Sequence, residues 1–164
     1  MHMTALERMQ MTREPEIDVR EVMGCTCMRL RRANRTITQI YDQHLAPAGL
    51  TSSQFGMLAR LYGASLQGNA ALPIGTLADL HGIDPTTLTR NLKLLLAAKL
   101  VRDGRDATDR RIRTVALTEA GRKRLIGALP EWRKAQQRVE TALGIEPMLA
   151  LNGLLDLSNA KLPA

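Results

Sequence analysis

Residues 84–118, DPTTLTRNLKLLLAAKLVRDGRDATDRRIRTVALT, set a helix with a strong start signal directly before an arginine-laden hairpin, an order that few folds accommodate. Asp84 has the residue type and position of an N-cap, and Pro85 stands at the first helical position, where a missing amide costs nothing. The helix they start places Leu88, Leu92, Leu95 and Leu96 on one side. Thr86, Thr87, Thr89, Arg90 and Lys93 fall on or near the other. Leu100–Arg102 and Ile112–Leu117 then read as strands around the polar loop Asp103–Arg111.

Charge follows the same segment. Residues 84–124 hold eleven lysines and arginines against five acids, so this stretch accounts for six of the seven net positive charges of the chain. Residues 1–22 carry five acids and three arginines, which argues against a basic tail there. At 164 residues the chain is one domain by size, with too few aromatics for carbohydrate or single-strand stacking surfaces. Its apolar stretches fall far short of a membrane span, and acids interrupt the N-terminal Met and Leu residues, so neither signal peptide nor anchor is expected. A cytoplasmic location follows as an expectation. Cys25 and Cys27 are too close for an ordinary structural disulfide and read as free thiols.

Elsewhere the pattern is helical. Leu30, Ala33, Ile37, Ile40, Tyr41 and His44 recur at helical spacing, predicting a helix over 26–46 that Pro47 and Gly49 end. Thr51-Ser52-Ser53-Gln54 fits a capping box and starts a second helix running to Ser65, with Phe55, Leu58, Leu61 and Tyr62 inward. Leu72-Pro73-Ile74 is at most a short strand before a brief helix, Thr76–His81, closed by Gly82. Thr118 caps a long helix through Leu143 that Pro130 should bend. Gly144 and Pro147 divide it from a last helix with an apolar side over Met148–Leu162.

Three stretches carry a family resemblance: LAPAGLTSSQFGML (45–58), IGTLADLHGIDPTTLTRNLKLLLAAKLVRD (74–103) and DATDRRIRTVALTEAGR (106–122). In order and spacing, with Asp-Arg-Arg followed by V-x-L-T-x-x-G, they resemble the MarR-family transcriptional regulators. The resemblance implies a mainly α, α+β winged helix: a winged helix-turn-helix domain over 47–118, flanked by dimerisation helices over 25–46 and 119–162. An N-terminal extension, 1–24, would be partly disordered. It further implies a homodimer on a pseudo-palindromic operator in double-stranded DNA, with repression relieved by a small aromatic or phenolic effector or by an oxidant. The apolar side of Met148–Leu162 agrees, because a small winged helix has no partner for it.

On this reading the helix from Pro85 to Ala98 enters the major groove, bringing Thr86, Thr87, Thr89 and Arg90 near base edges, with Asn91 and Lys93 either solvated or reaching phosphates. Arg90 would take a guanine or a phosphate. Arg110 and Arg111 sit at the hairpin tip, where arginine suits a narrow minor groove. Asp109 resembles the family acid that pairs with a wing arginine, and family position makes Arg111 that partner and Arg110 the groove reader, although either assignment is open. Arg105 and Arg113 read as phosphate contacts.

Cys27 admits two readings. Its fourteen-residue spacing to Tyr41 resembles that of the peroxide-sensing branch of the family, making Cys27 a candidate redox sensor with Cys25 as a redox partner. On one helix that gap is roughly 21 Å, so the pair would meet only across a dimer interface. That branch has further tyrosines where this chain has Arg31 and Ser52. The other reading is a small buried apolar residue. His2, His44 and His81 are scattered, and no Cys/His/Asp/Glu set has metal-ligand spacing, so neither metal nor cofactor is expected. An architectural DNA-binding protein without effector, or a thiol oxidoreductase built on Cys25 and Cys27, are the alternatives. The second lacks a nearby base or βαβ context.

Overall fold

A computed structural model describes residues 18–162, and the chain divides into two compact units, Met1–Thr36 and Ile37–Ala164. In the first, Asp18 caps the short helix α1, Val19–Met23, its carboxylate accepting the Arg20 amide at 2.8 Å. Residues 1–17 of the expected extension lie outside the described residues. Helix α2, Thr26–Leu45, follows at once. The Met28 amide donates to Cys25 Sγ at 3.4 Å, so that thiol satisfies one of the free amides of the first turn.

The second unit takes up the end of α2, which a 3₁₀ turn, Ala46–Ala48, and left-handed Gly49 bring to a stop. Helix α3, Ser52–Leu66, begins with the expected capping box: Thr51 Oγ1 accepts the Gln54 amide at 3.2 Å, and Gln54 Oε1 accepts the Thr51 amide at 3.1 Å. Strand β1 is only Leu72–Pro73, on a sheet edge where proline's missing amide is tolerated, so α4 already starts at Ile74 and runs to His81. Helix α5 spans Pro85–Ala97. Its end is a Schellman turn through Lys99, at φ 56°, with Leu100 N–H donating to the Leu95 carbonyl and Lys99 N–H to that of Leu96.

The hairpin is longer than its hydrophobic pattern suggests. Strands β2, Val101–Arg105, and β3, Arg113–Leu117, pair in register through Arg105 opposite Arg113, and the sheet order is β1-β3-β2. Asp103, Gly104 and Arg105 therefore leave the expected loop and join the ladder, with Arg105 opposite Arg113 of the expected strand. Helix α6, Glu119–Leu143, continues through Pro130, and α7, Ile145–Lys161, closes the fold. The core gathers Leu45, Met57 and Leu58 with Leu77, Leu88 and Leu95 and with Val115 of the sheet, all essentially inaccessible. The single apolar side expected over Met148–Leu162 is not what forms. Apolar residues surround α7, with Met148 buried while Ile145, Leu149 and Leu154 are each at least 60% exposed.

Candidate nucleic-acid interface

Asp84 builds the start of α5 more thoroughly than a simple cap. Its Oδ1 accepts the amides of Thr86 and Thr87 at 3.0 and 2.9 Å, and its Oδ2 accepts the Thr87 hydroxyl at 2.6 Å. These bonds, the Thr87 hydroxyl foremost, hold the Asp84 carboxyl below its ordinary pKa. Thr89 turns its hydroxyl back to the Pro85 carbonyl at 2.7 Å. Both hydroxyl protons are thus spent within the helix. What Thr87 and Thr89 present outward is a lone pair and a methyl group, which suit a base amine or a thymine methyl. Thr86, Arg90 and Lys93 are exposed on the same helix.

The helix and the hairpin meet in one cleft of about 300 Å³, where Thr89 and Lys93 of α5 face Asp103 and Arg113 of the sheet over a floor of Leu92, Leu96 and Val115. Arg105, exposed, reaches across the hairpin loop and donates from Nη1 to the Arg111 carbonyl at 3.4 Å. At the loop, Asp106 Oδ1 accepts the Thr108 amide and hydroxyl at 2.9 and 2.5 Å and the Asp109 amide at 3.1 Å. Asp109 Oδ1 in turn accepts the Arg111 amide at 2.9 Å. Two aspartates in series therefore shape the tip and leave Arg110 and Arg111 exposed on it. Asp109 meets the backbone of Arg111. Asp106 and Thr108 escaped the sequence reading, though an Asp followed two residues later by Thr is a turn signal that would have flagged them.

The redox candidates lie elsewhere. Cys25 and Cys27 are free and exposed at the start of α2. Tyr41 donates its hydroxyl to Gln136 Oε1, and burial together with the Glu140 carboxylate raises its pKa. Tyr41 also borders a second cavity, about 340 Å³, with Phe55, Arg60, His81 and Trp132. Phe55 stacks on Trp132 with planes 10° apart and centroids 6.1 Å apart. His81 joins a chain that no sequence pattern announces, because its members stand far apart in sequence: Ser53 Oγ lies 3.1 Å from His81 Nε2 and accepts from Asn91 Nδ2 at 3.4 Å.

The MarR family model matches residues 48–112. The transcriptional regulator MosR of M. tuberculosis, solved in complex with DNA, is 38% identical, with 83% of this chain and 95% of that one covered at a TM-score of 0.68. BpsR of Bordetella bronchiseptica, whose DNA binding is regulated by 6-hydroxynicotinic acid, is 25% identical, with 89% and 99% covered at 0.71. The fold alone is shared with a cysteine-to-serine mutant of E. coli MarR on operator DNA, 21% identical over 90% and 100% at 0.73. No curated protein matches the chain. The chain belongs to the MarR family: it is a winged-helix, DNA-binding transcriptional regulator and not an enzyme. Among the described residues no helix is long and apolar enough to cross a membrane.

Proposed function

We propose that the protein is a homodimeric, sequence-specific repressor that holds a pseudo-palindromic operator and releases it when a small aromatic acid or phenol binds. The observation that carries this reading is the cavity in which Arg60 stands beside the aromatic rings of Tyr41, Phe55 and Trp132. A flat ring would slide against the stacked aromatics while a carboxylate or phenolate meets the guanidinium. The regulation of BpsR by a hydroxylated aromatic acid supports the same chemistry. Arg110 and Arg111 would lie in flanking minor grooves, Thr86, Thr87, Thr89 and Arg90 against bases, and Lys93 and Arg113 on phosphates. An effector acts by binding better to the dimer whose two recognition helices no longer match the operator spacing.

Trp132 is the only tryptophan and lines the cavity, so its fluorescence reports occupancy directly. Salicylate should quench it saturably and, over the same concentrations, release a duplex carrying the region upstream of the protein's own gene. DNA binding that salicylate and 6-hydroxynicotinate leave untouched would refute the effector reading.

The exposure of both cysteines favours oxidative release as a second reading. Cumene hydroperoxide would convert Cys27 to a sulfenic acid, losing its oxygen to sulfur and leaving cumyl alcohol. The Cys25 thiol of a second copy of the chain would then condense with it to an intersubunit disulfide and water. Peroxide-induced release that persists undiminished in Cys27→Ser would exclude it.

A further inference from the structure

The DNA-binding helix is tied to the rest of its unit by a polar chain with a titratable end. Asn91 lies on the inner side of α5, half-buried, and its Nδ2 donates both to the Thr87 carbonyl at 3.1 Å and to Ser53 Oγ on α3 at 3.4 Å. Ser53 Oγ then meets Nε2 of His81, the last residue of α4, at 3.1 Å. Gly56 makes the seat for this imidazole: a Cβ there would stand 2.7 Å from His81 Cε1, so any side chain at 56 would displace the ring.

A count of donors shows why the protonation state matters. Asn91 Nδ2 only donates, and the Ser53 hydroxyl has one proton and two lone pairs. With His81 neutral and its proton on Nδ1, Ser53 donates to Nε2 and accepts from Asn91, so the hydroxyl's proton and one of its lone pairs both have partners. Protonating Nε2 brings two donors onto Ser53 Oγ and leaves the hydroxyl proton without its acceptor. The charged and titratable neighbours offer no relief. Arg60 on α3 repels the new charge, Tyr41 on α2 lines the same cavity, and Asp42 is engaged by the Ser52 amide at 2.6 Å. From α5 the facing group is the neutral Asn91, and from α6 it is Trp132. Burial first and Arg60 second hold the His81 pKa below its ordinary value, against the opposing hydrogen bond to the Ser53 backbone.

We propose that His81 is a proton-sensitive positioning residue, whose neutral form holds Ser53 and Asn91 so that α5 is presented for sequence-specific binding, and whose protonation weakens the operator complex. The proposal rests on the DNA-binding role and adds a regulation to it. If DNA selects the neutral form, operator affinity falls as pH drops through the His81 pKa, by at most tenfold per pH unit for each histidine. Phosphate electrostatics alone predict the opposite sign, because protonation adds positive charge and tightens non-specific binding.

Fluorescence anisotropy with the duplex from upstream of the protein's own gene, at fixed ionic strength from pH 7.5 to 5.5, separates the two. The wild type should weaken roughly three- to tenfold on that duplex, relative to a scrambled one of equal length, across the range. His81→Gln should flatten the difference, Ser53→Ala should lower specific affinity at pH 7.5 and flatten it too, and His44→Gln should leave it in place. Proton NMR of the His81 ring in the wild type, free and DNA-bound, is independent of whether the variants fold, and its pKa should fall in the complex. An equal pKa in both states, or an acid loss that survives in folded His81→Gln, overturns the proposal. Failure to prefer the upstream duplex at pH 7.5 would instead count against the choice of operator, and the NMR comparison on any bound duplex still decides the proton linkage.

Discussion

Gly121 shows why a single small residue can matter to a basic hairpin some distance away. Thr118 Oγ1 caps α6 by accepting the Gly121 amide at 3.0 Å while its proton goes to the Lys99 and Leu100 carbonyls at 2.8 and 3.0 Å. That double use draws the first turn of α6 onto the base of the hairpin, and a Cβ at 121 would lie 2.0 Å from the Leu100 oxygen. The obstacle is backbone, which cannot rotate away. Gly121→Ala should therefore cost roughly 3 kcal/mol in urea unfolding, at the upper end of overpacking effects, whereas Gly127→Ala on the same helix, where a Cβ meets nothing, should stabilise by roughly 0.5–1 kcal/mol. Equal stability of the two variants would show that the turn relaxes.

At the scale of elements, α5 and the hairpin carry separable parts of recognition. The hydroxyl protons of Thr87 and Thr89 are bonded inside the helix, so base discrimination there falls mainly to Arg90 and to the outward methyl groups. The loop tip is held by Asp106 and Asp109 through amides, which frees both tip arginines for phosphate or minor groove. Arg90→Ala should cost roughly 1–3 kcal/mol on the preferred duplex and far less on a scrambled one. Arg110→Ala and Arg111→Ala should weaken both duplexes and reduce the salt dependence by about one counterion each, with relaxed A·T preference at the flanks. Anisotropy over a salt series checks both, and identical profiles for all three variants would undo the division of labour.

At the scale of the whole molecule, α7 is the element that a single chain leaves unfinished. Apolar residues spread around α7 would ordinarily be covered by other elements, yet of the described residues of α7 only Met148 is buried. A second copy of the chain supplies the missing cover in our proposal, and two DNA-binding units on one duplex gain affinity by linkage rather than by new contacts. Leu154→Glu with Leu157→Glu should give a folded monomer in sedimentation, with operator affinity lowered at least about a hundredfold. A stable wild-type monomer at micromolar concentration would contradict the dimer.

What the sequence determined by itself is local. The capping box at Thr51, the Asp84-Pro85 start, the glycine stops at 49 and 82 and the period of the leucines each depend on residues within one or two turns, so they are legible from neighbours alone. The family signature over 106–122 rests on the same short-range order. Only the tertiary structure decided the register that moved Arg105 into the ladder, the close approach at Gly121 and the Ser53–His81–Asn91 chain. Each of these depends on which backbone or side chain arrives from elsewhere. Hydroxyl, imidazole and amide groups separated by 28 and 38 residues carry no periodicity, and become a unit only when α3, α4 and α5 pack against one another.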